Sequence, residues 1–198
     1  MSFMDEKIAR MINEAEQSLT PRSILSGPVR IGQRIFEFTQ QSFFDDKLSM
    51  YLPKEFEDMP LKFSSIKYPY EQRPEIIRSD EAGSVDFTFK LIDHELEDAL
   101  VEELTTGMKA MIQRVNPTHV FYESGIEEIG GKTVGFFEFK STVIEGYLFN
   151  IMYFLEFEGQ VLMGTFCCDY KAYSDWRDVA YQAIRTITVA KEEEEDET

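Results

Sequence analysis

The chain predicts an α+β domain: an antiparallel β-sheet flanked by helices on its faces, with an extra helix at the N-terminus. Three observations carry this prediction. Beyond Pro117, four strand-like runs follow in quick succession, joined by Gly130-Gly131, Glu145-Gly146 and Glu158-Gly159, and such two-residue turns connect antiparallel neighbours. Long stretches on either side of these runs repeat their apolar residues at helical spacing. The strands themselves are apolar on both faces, as central strands are when both sides of a sheet are covered. At 198 residues, 43% hydrophobic and 14% aromatic, the chain fits one domain with a substantial core.

From the N-terminus, Ile8, Met11, Ile12, Ala15 and Leu19 form an apolar stripe opposite Asp5, Glu6, Arg10, Glu14 and Glu16. This reads as an amphipathic helix over 1–20, ended by Thr20-Pro21. Residues 21–33, with two prolines and a glycine in "PRSILSGP", read as a linker to a single domain over 34–190. Strands are expected at 34–39, 47–53 and 84–92, the last alternating Val85, Phe87, Phe89 and Leu91 with polar neighbours. Between them, "KYPYEQRPEIIRSDEAG" reads as a loop followed by a hairpin entry.

A second helix is expected over 93–115, with Asp93 as N-cap, a stripe of Leu96, Leu100, Leu104, Met108, Met111, Ile112 and Val115, and Asn116-Pro117 as its stop. After the four strands, a third helix runs from Ser174 as N-cap to Ile187, burying Trp176, Val179, Ala180, Ala183 and Ile184. The last eight residues carry six acidic side chains and read as a solvated, disordered tail over 191–198.

The Glu158-Gly159 turn sets a register. Phe157 pairs with Gln160, Leu155 with Leu162, Tyr153 with Gly164, Ile151 with Phe166 and Phe149 with Cys168. The opposite face then gathers Phe137, Phe139, Met152, Phe154, Val161, Met163 and Cys167. Phe and Met repack readily and serve binding surfaces as well as cores. Phe137, Phe139, Met152, Phe154 and Met163 are therefore the candidate partner-binding residues. Their expected partner is another protein, offering an apolar helical segment. A groove here would accept the chain's own N-terminal helix or a foreign one, and a homodimer closing this face with a second copy is the alternative.

Chemistry finds little purchase. A net charge of −17 repels nucleic acid and anionic membranes. Cys167 and Cys168 point to opposite faces of one strand, so they cannot act as a pair and read as small buried hydrophobes. His119 and Glu123 share a face if their strand is regular, and with Glu127 would make the only metal set to consider. His94 sits where the second helix is expected to begin. Asp45-Asp46 and Glu127-Glu128 read as turn or strand-end carboxylates, and Ser124 lacks the glycine spacing of a nucleophile elbow. "EEIGGKT" is too short for a phosphate loop. No catalytic residue and no cofactor is assigned. No leader-like or membrane-spanning run opens the sequence, so a cytoplasmic location is expected.

Four stretches carry a resemblance. "LSMYLPKEF" (48–56), "EEIGGKT" (127–133), "YFLEFEGQVLMGTF" (153–166) and a closing helix led by Trp176 resemble the Mog1/PsbP-like family, which includes DcrB-type bacterial proteins. The resemblance spans residues 45–189. It implies an antiparallel sheet flanked by helices and a role in binding rather than catalysis. The family includes a nuclear-transport GTPase binder, photosystem subunits, envelope lipoproteins and chaperones of secreted effectors. The chaperone branch best suits an acidic chain with an apolar sheet face. The N-terminal helix and acidic tail lie outside the family pattern, and no family motif fixes binding residues to carry over. The resulting expectation is a non-enzymatic cytoplasmic adaptor or chaperone for a secreted or membrane-associated partner.

Overall fold

A computed structural model describes residues 23–68, 73–144 and 146–190. The stretches expected as an amphipathic helix (1–20) and an acidic tail (191–198) lie outside the described residues. The first half contains β1 (Val29–Ile31), β2 (Arg34–Phe36), β3 (Phe38–Phe43), β4 (Leu48–Pro53), β5 (Glu57–Asp58) and α1 (Leu61–Lys67). Next come β6 (Ile76–Ser79), β7 (Val85–Glu95), α2 (Val101–Val115), β8 (Val120–Ile129) and β9 (Lys132–Val143). The chain finishes with β10 (Gly146–Phe157), β11 (Gln160–Asp169), α3 (Tyr173–Ile184) and β12 (Thr188–Val189).

The main sheet has the order β5-β6-β7-β11-β10-β9-β8, with every neighbouring pair antiparallel. Its register is the one read from the turn: Leu155 faces Leu162, Tyr153 faces Gly164 and Phe149 faces Cys168. Glu158 and Gly159 both take positive φ, 52° and 77°, the conformation that matches a tight turn to strand twist.

One face of this sheet carries the larger core. Phe87, Phe89, Phe149, Ile151 and Leu155 are buried there beneath Leu48, Met50 and Leu52 of β4 and Trp176 and Ala180 of α3. The sequence predicts helices as the cover on both faces. Instead, β3 and β4 fold back with β12 as a separate three-stranded sheet, because β4 is buried at five of its six positions and belongs between layers. The opposite face carries a smaller cluster beneath α2.

Several boundaries differ from the expectation. The stretch read as a linker contains β1, paired with β2, and buries Ile24, Val29 and Ile31; its apolar residues outweigh its prolines. The helix expected from Asp93 begins at Val101, because β7 continues pairing with β11 as far as Glu95 and Gln160. Cross-strand pairing there overrides the capping signal. Asp98 serves β9, accepting a hydrogen bond from the Thr133 backbone N–H at 2.9 Å. In α3, Ser174 falls inside the first turn and Ala172 takes the N-cap position. The short α1 had no signal in periodicity, since only Ser64 of its seven residues is buried.

Candidate partner-binding face

The five candidate residues share one face of β9, β10 and β11. Phe137 faces Met152 across the β9–β10 pair, and Phe154 faces Met163 across β10–β11. Phe137, Phe139 and Phe154 are buried there with Leu96, Val101 and Val161. Leu104, Met108 and Ile112 of α2 pack onto this cluster. The rings of Phe137 and Phe154 lie 5.9 Å apart, and Phe121 stacks on Phe139 at 5.2 Å. Close docking of α2 depends on Gly135: a Cβ there would overlap the Thr105 hydroxyl and approach the Thr105 Cβ to 2.9 Å. Met152 and Met163 stay half-buried at the margin of this cover. On this face the phenylalanines are thus core, and the methionines are the accessible part.

The far end of the face is polar. Asp86, fully buried, faces Cys167 and meets the Lys67 ammonium, while the Tyr68 hydroxyl donates to it at 2.8 Å. These contacts tie the end of α1 to the sheet. Burial pushes the Asp86 carboxyl above the usual carboxylate range, against the opposing pull of Lys67 and Tyr68. Burial also pushes the Cys167 thiol up to about 12, leaving it a thiol at neutral pH. Cys168 lies on the other face in the larger core, so the two cysteines are separated as the strand period requires.

Between α2 and the end of β7 runs a groove of about 410 Å³, lined by Leu96, Leu100, Leu104, Gly107, Met108 and Met111, with His94, Glu95 and Glu103 alongside. Leu100 is 47% and Met111 44% exposed. Ile92 and Met163 pack partly buried against the same cluster. Leu96, Leu100, Leu104, Met108 and Met111 all belong to the apolar stripe expected from the sequence. In the folded chain this stripe is wider than the strands beneath can cover, which its periodicity does not reveal. The glycine inside it was the available signal.

The metal set does not assemble. A register irregularity between Phe121 and Ser124 breaks the alternation on which a shared face for His119 and Glu123 depended. His119 stacks on Phe139 at 5.3 Å, and burial lowers its pKa. Glu123 instead accepts from Arg177 of α3 at 2.7 Å, and Glu127 from Arg185 at 2.7 Å. Arg177 also reaches the buried Glu138 at 2.9 Å. These carboxylates clamp α3 to the sheet edge. His94, expected at a helix start, is exposed near the end of β7. Among the described residues, no group of three or more His, Cys, Asp or Glu side chains is placed to hold a metal ion, and no helix is long and apolar enough to cross a membrane.

A helix-flanked antiparallel sheet, with one face sealed by a small second sheet and the other only partly covered, is an α+β architecture known among solved structures. The fold is that of cyanobacterial PsbP from Synechocystis: the match has a TM-score of 0.56 at 8% identity, covering 80% of this chain and 96% of that one. PA94 of Pseudomonas aeruginosa, a protein of unknown function, aligns at TM-score 0.49 and 14% identity over 79% of this chain and 99% of its own. LpqN of Mycobacterium tuberculosis, involved in cell envelope biogenesis, aligns at TM-score 0.49 and 12% identity over 81% and 95%. No protein-family model matches the chain, and no curated protein does.

Proposed function

We propose that this chain is a non-catalytic protein-binding module, an adaptor or chaperone in the cytoplasm for a secreted or membrane-associated partner. One observation carries the reading. The face beneath α2 is apolar beyond what α2 covers, so that Met152 and Met163 stay half-buried beside a buried phenylalanine cluster, while Leu100 and Met111 on the α2 side are themselves exposed. Methionine at such a margin adapts to differently shaped apolar partners. The PsbP-like fold is compatible with an accessory role, and fold alone does not assign one. The acidic surface would keep a complex with an apolar segment in solution.

The test is capture from native-host lysate with the tagged full-length chain, repeated with Met163→Glu and Met152→Glu. Lys90 faces Met163 across β7–β11, so a carboxylate at position 163 gains a neighbour of opposite charge and the fold is expected to survive. Both variants should keep the wild-type Tm and lose at least about tenfold of the captured protein, or about 1.4 kcal/mol. A partner retained by both variants would move the function off this face. Nothing above background would overturn the protein-binding reading itself.

A further inference from the structure

The groove beside α2 identifies the chemistry of its occupant. We infer that it receives a basic amphipathic α-helix, docked along Leu100, Leu104, Met108 and Met111 with its backbone nearest Gly107. This rests on the protein-binding reading and adds a location, a shape and a charge to it.

Three features argue for this occupant. From Leu100 to Met111 the groove wall extends about 16 Å at roughly 1.5 Å per residue. That length presents apolar contacts to about three turns of a partner helix, the spacing by which helix-in-groove recognition is read. Gly107 is exposed within a helix, and a Cβ placed on it meets nothing within 4 Å. A glycine costs helix stability relative to alanine, and intramolecular packing does not explain it. It leaves a notch where a second helix can approach closely. The groove is also flanked by carboxylates: Glu95 and Glu103 are both exposed, make no ion pair among the described residues, and no Lys or Arg lines the groove. With a chain charge of −17, the complementary partner carries Lys or Arg beside its apolar stripe, which steers encounter and fixes orientation.

The probe is a synthetic amphipathic Leu/Lys helix, titrated against the full-length chain by fluorescence anisotropy. Its controls are a Leu/Glu helix with the same stripe and a Leu/Lys peptide of scrambled order. The Leu/Lys helix should bind at least tenfold tighter than either control, and more weakly as salt rises. Gly107→Trp should weaken it at least tenfold with an unchanged Tm, and Gly107→Ala, whose methyl enters the notch, should weaken it to a smaller extent. Paired Glu95→Lys and Glu103→Lys substitutions should weaken it about tenfold. Equal binding of the scrambled peptide, or full binding by Gly107→Trp, would overturn the groove assignment. Tighter binding by a full-length chain carrying Ile8→Glu and Ile12→Glu would overturn it in favour of the chain's own N-terminal segment. A dimer seen by light scattering and dissolved by Gly107→Trp would overturn it in favour of a second copy. In each of those cases a partner still captured in a Met163-dependent manner leaves the broader reading intact.

Discussion

Alanine at Gly107 and alanine at Gly164 have expected effects of opposite sign. At Gly164, on β11, a Cβ would overlap the ring of Tyr153, which lies fully buried across from it. Gly164→Ala must displace that ring inside the larger core, and should lower unfolding stability by about 3 kcal/mol. Gly107→Ala places its methyl in open space on a helix and should raise stability by about 1 kcal/mol, or about 2–4 °C in Tm. Urea and thermal unfolding of the two variants check the pair; a stabilising Gly164→Ala would contradict the packing described. The sequence shows a glycine in each place. Whether a ring or solvent stands over it depends on the neighbouring strand or layer, which no local pattern encodes.

Among the helices, α1 buries the fewest residues. It has seven residues, buries only Ser64, lacks a side-chain cap and exposes Leu61 and Ile66. Its end is tied down by Lys67 and Tyr68 on Asp86, directly beside Cys167. Segments with few apolar contacts open locally before the whole domain does. Lys67→Met leaves Asp86 without its charged partner, so thiol labelling of native Cys167 should accelerate at least about tenfold. Cys168, on the other face, should keep its slow rate. Mass spectrometry of the two adjacent thiols reads both, and a common rate for the two would mean that only global unfolding exposes them. The four late strands and α3 were legible because each combines a period with turn or cap residues. By contrast, α1 and the true start of α2 were not: a seven-residue surface helix has too few turns to show a period, and the β7 extension is decided by its partner strand.

Across the whole molecule, β9, β10 and β11 carry the larger core on one face and the smaller cluster on the other. A disturbance on either side is therefore shared by both. Phe154→Glu puts a carboxylate into the smaller cluster, where burial without a partner is strongly unfavourable. The expected outcome is unfolding of the domain, reported by a red shift of Trp176, the single tryptophan, although Trp176 packs on the opposite face. Native Trp emission in that variant would mean that the two clusters are independent. Loss of binding with the fold preserved belongs instead to Met152 and Met163, at the margin.

Apolar runs that are apolar on both strand faces, together with the Glu-Gly and Gly-Gly turns, by themselves determined an antiparallel sheet, its β10–β11 register and its two-sided burial. Those features depend on strand period and turn geometry, which are local, and this is how a PsbP-like fold is shared at 8% identity. Only the tertiary structure decided which apolar side chains remain accessible. Phe137, Phe139 and Phe154 look the same as Met152 and Met163 in the sequence, and the placement of α2 separates them. That placement rests on the Thr105–Gly135 contact between elements thirty residues apart. Likewise, His119 and Glu123 lost their shared face to one irregularity in β8, since a single extra residue reverses every side chain beyond it.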